Sequence, residues 1–477
     1  MGLLCYNKLK LYTGLFFIGA KRNGESTMSR RWVQLVVRYG APSILSMWVF
    51  TLYTMADGFF VGRYVGTVGL AAVSMSMPLI NAMFAVGVMI GMGGSTLAGI
   101  CYGAGRNDSG DVIYSRSILM SLASGALFGA VLFAGGGSIA RLLGADQALS
   151  PLVAEYLTTL APFSLFFMTG YGLEAFTKID GAPSWPVVCV TVGGLANVFL
   201  DYVTVALWGW GLYGAALATG VSQLVSFLLI LGRLSFFARR VNLRPVRLKL
   251  RPCFEVLRSG FPEFLNELSI GLTALLFNFI LMRRIGSEGV AVFGVVYYVS
   301  SLVSMTFVGL GQGVAPLLSL SLGKNDRQAL RNLFSVACCG AALGALAFGL
   351  FTQLNASAIV GLFITDGSTG MASWALRLYG TAFFISGGNI LIGTYFTAIH
   401  RPKLASAVTL LRGFGFVSLA LCSLPLVMGA VGIWLAVPLS EAATLVVSLL
   451  LYRFFGQPDS AQEELQPVLS DLSVQRG

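Results

Sequence analysis

Residues 38–45 read Arg-Tyr-Gly-Ala-Pro-Ser-Ile-Leu, and residues 258–265 read Arg-Ser-Gly-Phe-Pro-Glu-Phe-Leu, so that Arg, Gly, Pro and Leu return in step. Outward from this pair the same offset persists. Arg63, Gly66, Gly69, Ala71, Gly91, Gly93 and Gly103 recur as Arg283, Gly286, Gly289, Ala291, Gly311, Gly313 and Gly323, and Phe163, Phe176, Thr177 and Ile179 recur as Phe383, Phe396, Thr397 and Ile399. A constant spacing over most of each half marks an internal duplication.

What is duplicated is apolar. The 477 residues are 56% hydrophobic and 11% charged, against roughly 25% charged in soluble chains. A bilayer core about 30 Å thick needs roughly 20 apolar residues per helix. Hydropathy predicts twelve such helices, near 37–61, 69–98, 112–138, 150–177, 185–208, 211–234, 256–284, 290–320, 330–353, 371–399, 404–428 and 431–455. The expected fold is therefore an all-α integral membrane protein with twelve transmembrane helices in two six-helix lobes. Six is even, so the lobes share one orientation and are related by a pseudo-twofold axis along the membrane normal, with the substrate path between them. The division expected is an N-terminal segment 1–36, an N-lobe 37–234, a basic linker 235–255, a C-lobe 256–455 and a polar tail 456–477. The 58 glycines suit close helix packing in lipid. Leu11–Ala20 is too short to span and lacks a cleavage site, and Met28 is a candidate start.

Of the 31 Lys and Arg, only Arg63, Arg141, Arg283, Arg284 and Arg377 fall on the expected outer side. The positive-inside rule then places both termini in the cytoplasm, and the net charge of +11 reports topology and anionic lipid contact rather than nucleic-acid binding. The seven cysteines suggest no extracytoplasmic disulfide framework. A single histidine, His400, without a Cys/His cluster leaves no zinc or haem site, and the glycine-rich runs carry no nucleotide-loop lysine.

Carboxylates inside the spans are costly, about 2.5–3.5 kcal/mol each at a helix centre, and so carry the chemistry. Asp57 and Asp201 lie about 6 and 10 Å inside the outer helix ends at 1.5 Å per residue. Asn197 sits one turn from Asp201, and Thr219 lies at about the same depth on the next helix. Together they form a cluster able to hold a proton or a sodium ion, since crowded acids share protons and oxygen ligands suit hard cations. The competing reading has Asp57 capping its helix or pairing with Arg63. In the second half, Glu267 and Glu441 lie near the midplane, Glu263 is one turn from Glu267, and Asn278 is three turns beyond it. A cationic compound would find complementary charge there. The competing role is interhelical packing. Glu174, Arg377 and Arg412 are expected to snorkel to an interface.

These motifs resemble the multidrug and toxic compound extrusion (MATE) family, over roughly residues 30–455. The resemblance is carried by Asp57-Gly-Phe-Phe-Val-Gly-Arg-Tyr-Val-Gly with Gly69-Leu-Ala-Ala, by Gly103-Ala-Gly-Arg, and by Asn197-Val-Phe-Leu-Asp201. Phe261-Pro-Glu-Phe-Leu-Asn-Glu-Leu-Ser-Ile-Gly, Phe277-Asn-Phe and Trp434 to Glu441 complete it. A departure is Phe176-Thr-Lys-Ile-Asp-Gly after Glu174, where similar proteins read closer to Arg-Ala-Xaa-Gly. The resemblance implies a bacterial inner-membrane drug/ion antiporter, not an enzyme, with no cofactor beyond a coupling proton or sodium ion. Asp57, Asn197, Asp201 and Thr219 would couple the cation, the first three forming any sodium site. Glu263, Glu267, Asn278 and Glu441 are the candidate substrate contacts. Small drugs or organic cations and the bilayer are the expected partners, and a monomer the expected state. The alternative is a lipid-linked oligosaccharide flippase of the same superfamily, which would need a basic midplane cavity. A membrane-embedded enzyme or receptor would show a catalytic cluster or a soluble domain, and the sequence shows neither.

Overall fold

The computed structural model describes residues 30–363 and 369–457; the expectations for Met28, Leu11–Ala20 and most of the polar tail fall outside these residues. All twelve expected helices are present. They are α1 (Arg30–Val65), α2 (Thr67–Gly103), α3 (Asn107–Leu142), α4 (Leu149–Ile179), α5 (Trp185–Leu207), α6 (Gly211–Phe236), α7 (Leu250–Arg284), α8 (Ser287–Gly323), α9 (Arg327–Gly361), α10 (Thr369–Gly380 and Phe383–Ala398, bent by 42°), α11 (Pro402–Met428) and α12 (Ala430–Phe455). Twelve crossings put Arg30 and Gln457 on one face, hereafter the terminal face.

Several helices start before the hydropathy reading, most of all α1, which begins at Arg30 rather than 37, and α7, at Leu250 rather than 256. Hydropathy marks only the stretch that lipid can solvate, whereas backbone hydrogen bonding carries the helix on into water. The 37 residues of α2 and of α8 span about 55 Å at 1.5 Å per residue, well beyond the hydrocarbon.

Local irregularities repeat with the sequence. Gly66 and Gly286, each ending the turn after a first helix, take φ of +93° and +94°, a region that a Cβ disfavours. In α4 the helix tightens at Ala161–Phe163, where Pro162 lacks an N–H, and α10 breaks at the corresponding place.

The repeated glycines find their reason in packing. Helix α2 packs on α7, and its counterpart α8 on α1. A Cβ on Gly93 would strike the Val256 carbonyl and the Gly260 backbone, and its mate Gly313 would strike the Tyr39 carbonyl and Gly40. Gly103 and Gly323 meet each other in the same way, against the Leu320 and Ile100 carbonyls. Glycine permits this approach because helices in lipid associate by close backbone contact. These contacts lie in the terminal half of the bundle. There one hydrophobic cluster joins both lobes, whereas towards the opposite face each lobe has its own, around Leu157 and Met168 in one and Phe277 and Trp434 in the other. The lobes are thus sealed together at the terminal face and separate beyond it.

The basic segment after α6 is fastened to the first lobe. Asp180 accepts the backbone N–H groups of Arg239 and Arg240 at 2.6 and 2.7 Å and lies 3.4 Å from Arg233. Asp111 accepts from Asn242 N–H at 3.0 Å and Arg244 Nε at 3.2 Å. In the second lobe Arg401 and Tyr395 hold the end of α12 through the Phe455 and Gly456 carbonyls. Between α10 and α11, His400 is buried with Nδ1 3.3 Å from Ser259 Oγ. Burial pushes its imidazole down to about 4, and the neighbouring Arg258 adds to the effect.

Candidate functional site

Three helices bring the expected N-lobe cluster together. Thr219 of α6 donates Oγ1–H to Asp57 Oδ1 of α1 at 3.4 Å, and Asp57 faces the Asp201 carboxylate of α5 at hydrogen-bonding range. Asp57 neither ends its helix nor meets Arg63: α1 runs on to Val65, and Arg63 is exposed. Asp201 and Asn197 are 0% exposed, yet both oxygens of Asp201 and both polar atoms of Asn197 lack a hydrogen-bond donor or acceptor. A buried polar group without a partner costs about 1–3 kcal/mol. A pair of ionised carboxylates has no donor between them, so one proton, or a cation among these oxygens, completes the geometry. The donor set of two carboxylates, an amide and a hydroxyl fits either.

The backbone widens at this point. α1 changes to a π-helical turn at Val61–Val65, just beyond Asp57, and α5 does so at Tyr202–Leu207, directly after Asp201. Such turns release a carbonyl from the regular ladder and recur at functional sites. A fourth helix contributes Tyr156 of α4, 2% exposed, whose hydroxyl faces Thr219 and both aspartates. Tyr156 escaped the sequence reading because a tyrosine in an apolar span carries no pattern that separates it from packing. Among the described residues the second lobe has no such chamber: the repeat-equivalent positions hold Phe277, Leu376, Val417 and Leu421, packed in one apolar cluster.

The second-lobe candidates divide. Glu263 and Glu267 lie a turn apart on α7, half-buried and in electrostatic contact, with Asn266 Nδ2 3.3 Å from Glu267 Oε1. Glu263 lines a small pocket between the lobes with Met92, Gln312, Asn389 and Arg412. Glu441 is buried and already neutralised. Arg412 Nε donates to its Oε1 at 2.9 Å, and Asn389 Nδ2 to its Oε2 at 2.7 Å. Arg412 therefore does not snorkel; the π-helical turn Leu411–Gly415 turns it inward to the acid. Asn278 is exposed on α7 and is not gathered with the acids.

Glu174 also departs from expectation. It is 7% exposed and pairs with Lys178 at 3.0 Å, because α4 is enclosed by α2, α3 and α6 and neither side chain reaches water. Arg116 of α3, which the sequence did not single out, is fully buried as well.

The architecture and chamber define a class: a two-lobed, twelve-span membrane protein with a carboxylate pair enclosed in its first lobe. The MatE family profile matches residues 42–203 and 262–424, one match per half, and the chain belongs to the MATE family. Among similar proteins, Multidrug export protein MepA of Staphylococcus saprophyticus is 24% identical over 79% of this chain and 84% of that protein. MepA of Staphylococcus aureus strain MRSA252 is 23% identical over 88% and 94%. A multidrug resistance MATE family transporter solved in an outward-facing conformation superposes with a TM-score of 0.83 at 22% identity, covering 93% of this chain and all of that one. A MOP superfamily transporter from Pyrococcus furiosus, described as having a binding pocket of reverse polarity, gives 0.82 at 22% identity, covering 92% and 96%.

Proposed function

We propose that this protein is a secondary active multidrug efflux antiporter that exports amphipathic, cationic compounds in exchange for an inward-moving cation. The observation that carries the proposal is the enclosed Asp57–Asp201 pair with Thr219, Tyr156 and the unpartnered Asn197. Relatives named for multidrug export support the substrate class. The termini face the cytoplasm on this reading, and the glycine-sealed face is the cytoplasmic one, so the lobes part towards the outside of a bacterial inner membrane. The protein acts as a monomer with small molecules and lipid as its partners. Glu263 and Glu267 offer negative charge to the substrate, whereas Glu441 is held by Arg412. That pairing also weighs against a flippase, since Arg412 is not free to meet a pyrophosphate.

One-for-one exchange of a monovalent cation for a monovalent drug moves no net charge, so the concentration gradient of the coupling cation drives it, and about tenfold in that gradient, about 1.4 kcal/mol, sustains about tenfold in substrate. The test is uptake of ethidium into proteoliposomes with pH and sodium gradients imposed separately. At least one of the two gradients drives accumulation in the wild type, and Asp57→Asn and Asp201→Asn each abolish it. Wild-type rates in both variants would refute the assignment.

A further inference from the structure

Below the aspartate chamber, towards the terminal face, the first lobe contains a second polar space that the coupling site does not use. Tyr53 lies one turn from Asp57 on α1 and accepts a hydrogen bond from Gln223 Nε2 of α6 at 3.0 Å. Its hydroxyl faces Asp57 on one side and Glu174 on the other. Tyr53, Gln223, Ser226, Tyr171 and Glu174 line a void of about 40 Å³, room for water beside polar partners. The sequence makes the space. Gly194 of α5 lets the Tyr53 ring lie against its backbone, with 3.1 Å to a built Cβ, and Gly193 makes room for Ser226. At the lower end stands the Glu174–Lys178 ion pair, 3.0 Å apart, with side chains 9% and 3% exposed.

A buried ion pair is weak as a device for stability, because desolvation of the two charges offsets most of their attraction. Ionisable residues inside a span more often mark ion or proton routes. We propose that Glu174 is a second proton station: the proton released by the Asp57–Asp201 pair passes along Tyr53, Gln223-ordered water and the void to the Glu174 carboxylate, from which it is released when the terminal face opens. Lys178 is not a carrier in this step. The step moves one proton from carboxyl to carboxylate, with hydroxyl and water as carriers, and involves no other reactant. A fixed ammonium 3.0 Å from the acid repels a second metal cation at that place but still allows the carboxylate to gain and lose a proton. The route therefore selects a proton over sodium. The groups facing Glu174 are Lys178 and Tyr171 on its own helix, Tyr53 from α1 and Cys189 from α5, and Lys178 is the sole cation among them.

The inference rests on the antiporter reading, and its test separates the two. Proteoliposomes holding the full chain are assayed for ethidium accumulation driven by a pH gradient, and for ethidium exchange at equilibrium, which needs no net proton movement. Glu174→Gln and the double variant Glu174→Gln/Lys178→Met, which leaves no buried unpaired charge, are expected to slow driven accumulation by about tenfold or more. In the double variant, exchange and melting temperature stay near wild type. Driven rates within about twofold of wild type, equal loss of driven transport and exchange, or a wild type driven by sodium alone would each overturn the proton station. A wild type indifferent to both gradients would instead overturn the antiporter reading.

Discussion

Asp201 has no donor for either carboxylate oxygen although it is 0% exposed, and it is this residue that makes the chamber chemical rather than structural. Its neighbour Tyr156 offers a graded test. Tyr156→Phe removes only a hydroxyl that faces Thr219 and both aspartates, a polar interaction worth about 0.5–1.5 kcal/mol. Gradient-driven ethidium transport should fall about three- to tenfold, well short of the complete loss in Asp57→Asn, with ethidium binding unchanged by equilibrium dialysis. His400 gives a pH test away from the membrane core. Its ordinary value of 6.5 is pushed to about 4 in the fold, so unfolded chains bind a proton that the folded protein refuses. Stability from this residue is complete above pH 6.5 and is lost as pH falls towards 4. The melting temperature of detergent-solubilised protein should drop across that window, and His400→Asn should flatten part of the slope. Asparagine also accepts the +56° φ found there.

The elements most worth perturbing are α10, α11 and α12, which meet at Asn389, Arg412 and Glu441. Removing one member of a buried pair costs about 3–5 kcal/mol because the other charge is left unpaired, whereas replacing both by apolar groups is close to neutral. Arg412→Met and Glu441→Met should therefore each destabilise the protein strongly, Arg412→Met/Glu441→Met should recover most of the loss, and chemical denaturation of the three should show a double-variant loss far smaller than the sum of the singles. Near-additive losses would mean that the pair is incidental to helix packing. The same helices illustrate how far hydropathy reaches. It marked α11 as a span and Glu441 as deep, but not that a π-helical turn would swing Arg412 inward to the acid. Depth follows from residue number at 1.5 Å per residue, whereas rotation about the helix axis does not.

At the scale of the whole molecule, the glycine seam is the part that alternating access must open and close. Gly103→Leu puts a side chain against the Leu320 carbonyl and Gly323, and should wedge the lobes apart at the terminal face. Cys101, buried two residues away, reports this. In a variant retaining Cys101 alone, a membrane-impermeant maleimide should react slowly with the parent and much faster after Gly103→Leu, with transport lost. Equal labelling of both would show that the seam does not gate that face. The amino-acid sequence by itself determined the twelve spans, their duplication, the depths of Asp57, Asn197, Asp201, Glu263, Glu267 and Glu441, and the family. It could do so because span length, the recurrence of residue types and residue number along a helix are one-dimensional quantities. Only the tertiary structure decided that the repeated glycines line the contact between lobes, that Tyr156 joins the aspartates, that Glu441 is neutralised while Glu263 and Glu267 are not, and that Glu174 stays away from water. Lipid-facing, lobe-facing and core-facing positions are all apolar in a membrane protein, so the azimuth of each helix, and with it the partner each buried charge meets, is fixed by packing alone.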